Sequence, residues 1–333
     1  MAVFLVAASR YKRLDFAESL QKQTACQLGE QRELPYFKQF PQSPLALDAL
    51  YRLIDEQIEH CLQQAGWQKE TLCQIPIFLG STGYVIADCE ARLAAGQPLP
   101  DAYSLAVIGS YLQARYQTKV YSLATSCTAS AQGIYYASQM LAQGWCDKAL
   151  VIGFEPFNRL TFEHFHAMHL LAETNGEGIV LGEGLGCVAL SSQANADLPC
   201  ELLGVTGQTD FDNLTNNSET ALKALIEAIL QQSAVDFRQV LQVKPHLVGG
   251  NFDEAEKALL QAVFPQAEML SPKAELGHTL GASGAVETAW LWEHFREQQQ
   301  KNGGNRPLAV SQYSLCYFLG FGGSNVGWVL KFY

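Results

Sequence analysis

The chain has 333 residues, of which 48% are hydrophobic and 17% charged, a balance that builds a large core and excludes a disordered or low-complexity polypeptide. Its formal net charge of -11 argues against non-specific attraction to nucleic acid or to an anionic membrane surface. No apolar run reaches membrane-spanning length, and Val3 to Ala8 is too short and has no basic flank to be a secretory leader, so a cytoplasmic protein with nine reduced thiols is expected.

In chain order, Ala2 to Ala8 is predicted as a buried first strand, followed to Phe40 by a Gln-rich stretch in which only short helices and loops are expected. Leu45, Leu50, Leu53, Ile54, Ile58 and Leu62 recur at helical spacing, which with Gly66 as a stop predicts a core-facing helix over Pro44 to Ala65. A strand at Ile75 to Leu79, a helix at Ala102 to Tyr116 and a strand at Val120 to Ala124 come next. Then come a helix at Ser130 to Gly144, a strand at Lys148 to Gly153, and a hairpin edge or strand pair at Val180 to Leu190. The second half repeats the alternation. Strands are predicted at Glu201 to Val205, His246 to Gly250, Leu308 to Ser311 and Gly327 to Phe332, and helices at Glu219 to Gln232, Asp253 to Phe264 and Ala282 to Gln299. Strands alternating with helices imply an α/β protein with parallel sheets under helices.

The chemistry concentrates in a few stretches. Val120 to Ala124 breaks at Cys127 and continues into Thr128, Ala129, Ser130, Ala131 and Gly133, which reads as a strand, a sharp elbow and a helix start of small residues. A cysteine at a helix N-terminus meets free N–H groups and the positive end of the dipole, which favour the nucleophilic thiolate; Cys127 is therefore expected to be accessible and more reactive than the other cysteines. A cluster at Glu163, His164, His166 and His169 lacks ligand spacing, and no metal is expected. Two further stretches carry a lone histidine and a glycine run: Lys273 and Gly277–His278 followed by Gly281, Gly284 and Glu287, and Gly320–Phe321–Gly322–Gly323 ahead of Asn325. Gly182–Glu183–Gly184 and Gly186 form a fourth.

These four stretches, in this order, resemble the β-ketoacyl-ACP synthase (ketosynthase) family of the thiolase superfamily from about Ser43 to the end. The resemblance implies a thiolase-like five-layer αβαβα fold with two duplicated halves, residues 1–193 carrying the cysteine elbow and 194–333 the histidine and glycine-rich motifs. It implies Cys127 as the acylated nucleophile, His278 as one of two enolate-binding histidines and Lys273 as a charge beside it. Phe321 matches the gating residue, whose N–H joins that of Cys127 as oxyanion donor. No cofactor of its own is implied; the substrate arrives on the phosphopantetheine of an acyl carrier protein. Because the chain is acidic, such a carrier needs a local basic patch, for which Lys12, Arg13, Arg52, Arg92, Arg115 and Lys119 are candidates.

The second histidine is where the chain departs. In the family it follows a V-N-A-H strand and precedes a G-T-x-T loop that holds the pantetheine. Keeping the downstream helix in register places Asn251 there and leaves no such loop, whereas the rival alignment uses His246; the Asn251 alignment is favoured, with His246 as a strand-end residue. A lost histidine points to a subunit like the chain-length factors of type II polyketide systems, paired as a heterodimer with a complete ketosynthase. The alternatives are a self-sufficient decarboxylating synthase using Cys127, His278 and His246 or Asn251, and a thioester acyltransferase or hydrolase without decarboxylation.

Overall fold

The computed structural model describes residues 1–101, 103–173, 177–194, 198–211, 217–301 and 311–333. The N-terminal half runs β1 (Phe4–Arg10), α1 (Phe16–Ser19), β2 (Leu20–Gln27), β3 (Glu30–Phe37), α2 (Leu47–Ala65), β4 (Ile77–Gly80), α3 (Ile86–Ala94) and α4 (Ala106–Tyr116). It continues with β5 (Val120–Leu123), α5 (Ala129–Ala142), β6 (Lys148–Glu155), α6 (Arg159–Ala167), β7 (Leu181–Gly182) and β8 (Gly184–Ser191). The C-terminal half runs β9 (Cys200–Thr209), α7 (Glu219–Ser233), β10 (Val240–Lys244), α8 (Asp253–Val263), β11 (Glu268–Met269), α9 (Lys273–Leu276), α10 (Ser283–Lys301), β12 (Gln312–Phe318) and β13 (Ser324–Phe332).

The main sheet has the order β11-β10-β12-β13-β9-β1-β8-β6-β4-β5, and it is two copies of one five-stranded pattern. In each half the first strand lies innermost (β1, β9), the last strand beside it (β8, β13), then the fourth, the second and the third at the outer edge. The directions match too. β4 is parallel to β5 and β6 while β8 runs antiparallel to β6 and β1; β10 is parallel to β11 and β12 while β13 runs antiparallel to β12 and β9. The copies join where β1 meets β9 over Phe4 and Leu5.

Three apolar layers hold this arrangement. Leu50, Ile54, Ile58 and Leu62 of α2 and Ile108 and Leu112 of α4 cover the outer face of the first sheet against Ile77, Leu79, Leu150 and Ile152. Leu222, Leu225, Ile226 and Ile229 of α7 and Leu259 and Leu260 of α8 cover the second sheet against Val243, Leu315 and Val329. Between the sheets lie α5 and α10, sharing one core through Ala131, Ile134, Leu141, Ala285, Ala289 and Trp292. Helix, sheet, helix, sheet, helix is the five-layer αβαβα order expected from the resemblance. Each large aliphatic side chain sealed between layers contributes on the order of 1.5–3 kcal/mol, so the layers are held by apolar burial and not by their ion pairs.

Three expectations are corrected. The Gln-rich segment before Phe40 forms the hairpin β2–β3, fully paired from Leu20↔Phe37 to Gln27↔Glu30, because its alternate residues Ala25, Leu34 and Tyr36 bury one face. Val180 to Leu190 is no hairpin: β7 pairs with β3 in the small sheet, and β8 is an interior strand of the main one. The strand expected at His246 to Gly250 lies earlier, at Val240–Lys244, and ends ahead of Pro245, which has no N–H for the ladder. Leu308 to Val310 of the expected penultimate strand fall outside the described residues; β12 begins just after, at Gln312.

Candidate active site

Cys127 occupies a 3-10 turn between β5 and α5, and the preceding Ser126 takes a φ of +53°, a left-handed conformation that a non-glycine residue adopts only under constraint. The equivalent turn of the second half lies between His278 and α10 and is opened by Leu280 at φ +45°. The two helix starts touch backbone to backbone: a Cβ on Gly284 would lie 2.1 Å from the amide nitrogen of Ala131, so only glycine lets the elbows meet. The small residues after Cys127 serve this approach.

His278 is fastened by the other glycine motif. Its N–H donates to Val180 O at 2.7 Å and its carbonyl accepts from Gly182 N at 3.1 Å. A Cβ on Gly182 would sit 2.1 Å from Leu276 O, and Glu183 accepts from the N–H groups of Gln39, Phe40 and Phe157 at 2.7, 2.7 and 3.2 Å. Glu155, at the end of β6, pins the histidine turn from the other side by accepting from Thr82, Gly83 and Gly281 N–H groups at 2.8, 2.9 and 3.1 Å. Burial raises both carboxyls to about 7 although each accepts several backbone N–H groups.

The structure corrects the placement of the second histidine. His246, not Asn251, stands against His278: the rings cross at 87° with centroids 5.5 Å apart, and His246 is 6% exposed whereas Asn251 lies exposed at the rim of the cavity. Because β10 ends at Lys244, His246 is in the turn beyond it. There Glu256 of α8 accepts the His246 N–H at 2.6 Å and the Tyr317 hydroxyl at 2.5 Å. The N–H of Leu319 donates to His246 Nδ1 at 3.4 Å, which leaves the ring proton on Nε2 and makes that atom a donor. His278 Nδ1 is buried without a hydrogen-bond partner among the described residues. Leu247 to Asn251 follow His246, and Asp253 accepts the Val248 and Gly249 N–H groups at 3.2 and 2.8 Å.

Cys127, His246, His278 and Phe321 line one cavity of about 80 Å³, with Phe165 of α6 at its side. Phe165 stacks on Phe321 with ring centroids 6.0 Å apart, a contact that sequence reasoning missed. The backbone N–H groups of Phe321 and Cys127 favour the charged form of the thiol. Yet Cys127 is only 5% exposed, and burial, followed by the charge of Glu155, pushes its thiol up to about 12. The expectation of an accessible, resting thiolate is therefore corrected, since desolvation outweighs the helix end and the lowering influence of Lys273.

Lys273 is buried and makes a 2.7 Å ion contact with Glu287 Oε1, without hydrogen-bond geometry at either atom. A second lysine escaped the sequence reading: Lys244 Nζ donates to Glu287 Oε2 at 2.7 Å, with side-chain exposures of 0% and 1%. Burial, then the Lys273 charge, holds His278 down to about 3 and His246 well below the ordinary imidazole range, which favours the neutral ring in both. Of the proposed basic patch, Lys12, Arg92 and Arg115 are engaged by Asp15, Asp88 and Asp55. Glu163 is likewise taken by Arg159 and the Cys26 N–H, and no cluster of metal ligands occurs among the described residues. No described helix is long and apolar enough to cross a membrane.

Comparison with known proteins places this arrangement. The 3-oxoacyl-[acyl-carrier-protein] synthase 2 of Vibrio cholerae is 25% identical over 254 residues, covering 63% of this chain and 61% of its own length. A β-ketoacyl synthase from Burkholderia phymatum superposes with a TM-score of 0.77 at 17% identity over 99% of both chains. A chain of the Xenorhabdus doucetiae ketosynthase in complex with its chain length factor superposes at 0.75 and 18% identity over 99% of this chain and 97% of that one, a likeness that speaks for the fold. The family descriptions "Beta-ketoacyl synthase, N-terminal domain" and "Beta-ketoacyl synthase, C-terminal domain" match residues 7–196 and 200–300. The chain belongs to the β-ketoacyl synthase family.

Proposed function

We propose that the chain is a decarboxylating condensing enzyme acting on thioesters, with Cys127 as nucleophile and His246 and His278 as paired donors. The observation that carries the reading is the perpendicular contact of the two imidazoles, 5.5 Å between centroids, in the cavity that also holds Cys127 and Phe321. In the first half-reaction Sγ attacks the acyl thioester carbonyl, the N–H groups of Cys127 and Phe321 hold the oxyanion, and the departing thiolate leaves with the cysteine proton. In the second, a malonyl thioester loses carbon dioxide. The electron pair of the broken C–C bond becomes an enolate whose oxygen is held by His246 Nε2–H and by His278. Its carbon attacks the acyl group, and Cys127 is expelled as a thiolate that is reprotonated. Neutral imidazoles suit this work, since an imidazolium would surrender its proton to the enolate and quench it. The resting thiol is neutral as well, so its proton must leave within the substrate complex.

The acyl carrier protein is the proposed partner, and its phosphopantetheine the only prosthetic group involved; with the G-T-x-T loop absent, the arm rests on other groups. A dimer is proposed across β5, the edge strand that among the described residues pairs only with β4 and carries Tyr121, 39% exposed. The contact of His246 with His278 speaks against the premise of the chain-length-factor reading, a lost histidine. The absent pantetheine loop still favours that reading, as does the likeness to the Xenorhabdus doucetiae complex. The deciding measurement is malonyl-dependent elongation by the isolated protein and by its Cys127→Ala variant. Turnover lost in the variant is expected. Turnover only in the presence of a separate ketosynthase would make the chain a partner subunit instead.

A further inference from the structure

Glu287 of α10 lies between two buried lysines, Lys244 from β10 and Lys273 from α9, at 2.7 Å from each. Two cations on one anion leave a net charge of +1 in the interior. An unbalanced buried charge is costly and is not retained for stability alone, since buried ion pairs commonly give way to apolar residues without loss. Lys244 also packs its Nζ 3.4 Å from the Phe318 ring centroid, which stabilises a cation. His246 follows Lys244 by two residues, and the Lys244 charge acts on both imidazoles.

We propose that Lys244 is a positioning residue for decarboxylation: by occupying one oxygen of Glu287 it leaves the Lys273 ammonium incompletely neutralised, so that one positive charge faces the enolate held by His246 and His278. This rests on the condensing-enzyme reading. The groups facing the cluster are Glu287 from α10, Lys273 from α9, Cys316 from β12, and His246 and His278; Glu256 of α8 faces the backbone of His246. Burial lowers Lys244 to about 8 despite Glu287, as an excess cation requires, and the two ammoniums together hold Glu287 below its ordinary value against its own burial.

The test varies the charge while keeping the shape. Lys244→Met reduces the cluster to zero, and Lys244→Met with Glu287→Gln restores +1. Decarboxylation of a malonyl thioester is measured for the parent and both variants, with thermal melting of each from pH 7 to 10. For Lys244→Met, kcat is expected to fall about ten-fold with KM changed less than about two-fold, and the double variant to recover most of the loss, because a transition-state charge and not ground-state binding is removed. Lys244→Met should melt at or above the parent at pH 7. Between about pH 8 and 10.5 the unfolded parent holds a lysine proton that the folded parent has lost, so the parent gains stability relative to the variant as pH rises through that window. A double variant no faster than Lys244→Met, or a Lys244→Met protein melting below the parent at pH 7, would overturn the inference. A parent without decarboxylase activity would instead sink the functional reading, while the melting comparison still decides whether the charge is unbalanced.

Discussion

Replacing His246 by asparagine is the sharpest perturbation of the proposed chemistry. Asparagine can accept the Leu319 N–H, made at 3.4 Å by Nδ1 in the parent, while Glu256 continues to hold the backbone, so the turn should survive. What is lost is the Nε2–H donor. Removing one preorganised donor from a developing oxyanion costs about 10²–10³ in rate, or roughly 2.7–4 kcal/mol, and the same range is expected for decarboxylation by His246→Asn and by His278→Asn. Because both rings serve one oxygen, the double variant should fall little below the worse single one. Asn251→Ala, at the exposed rim, should change the rate by no more than about two-fold, the effect of roughly 0.5 kcal/mol. Release of carbon dioxide from a malonyl thioester, followed beside melting curves, separates these cases. A His246→Asn protein that is folded and fully active, or an Asn251→Ala protein reduced a hundred-fold, would refute the placement of the second donor.

Two further outcomes follow from burial. Iodoacetamide at pH 7.5 should label exposed Cys73 before buried Cys127, and the Cys127 rate should keep climbing to pH 10 without a plateau, as expected of a thiol near 12; peptide mapping with a neutral plateau at Cys127 would contradict this. Glu155 and Glu183 are raised from the ordinary value to about 7, so the folded state keeps protons that the unfolded chain sheds above about 4.5. Their contribution is complete below that pH and lost as pH rises through 7. The melting temperature should therefore decline from pH 5 to 8, with a flatter profile in Glu155→Gln; an unchanged profile would show that the backbone N–H groups already hold the carboxylate ionised.

The cysteine elbow and the His278 and Phe321 segments were legible because each needs residues that cannot be exchanged: glycine where backbones touch, small side chains where helix starts cross. His246 was misread for a physical reason. Leu247–Val248 looks like buried strand, whereas the true strand carries Gln242 and Lys244, which read as surface residues. Both are buried and satisfied, Gln242 by Ser314 and Glu268, both at 3.0 Å, and Lys244 by Glu287, so tertiary pairing overrode the pattern. The hairpin β2–β3 was hidden in the same way, its exposed face of Gln and Lys lowering a strand signal that Ala25, Leu34 and Tyr36 carry alone. Glu155 and Glu256 were invisible as site residues, because a carboxylate that pins backbone N–H groups has no sequence signature of its own; Glu183 was legible only as part of a glycine motif.

The duplicated strand order explains how one chain assembles three chemical groups at one point. Each half enters its central helix through a left-handed residue, Ser126 in one copy and Leu280 in the other, so Cys127 and the His278 turn are delivered face to face by the same device. The second strand of each half ends beside them. Two residues past β4 stands Thr82; two residues past β10 stands His246. In the first copy that position is structural: the Thr82 hydroxyl accepts the Gly281 N–H at 3.0 Å and its own N–H goes to Glu155, which steadies the turn below His278. In the second copy the same position carries an imidazole held by Glu256 and Leu319. Fold symmetry thus brings two equivalent strand ends to the site, and only side-chain identity divides them into one that fixes the geometry and one that presents a donor. An exchange at position 246 should for that reason cost rate before it costs folding, whereas loss of the Thr82 and Glu155 contacts should cost both.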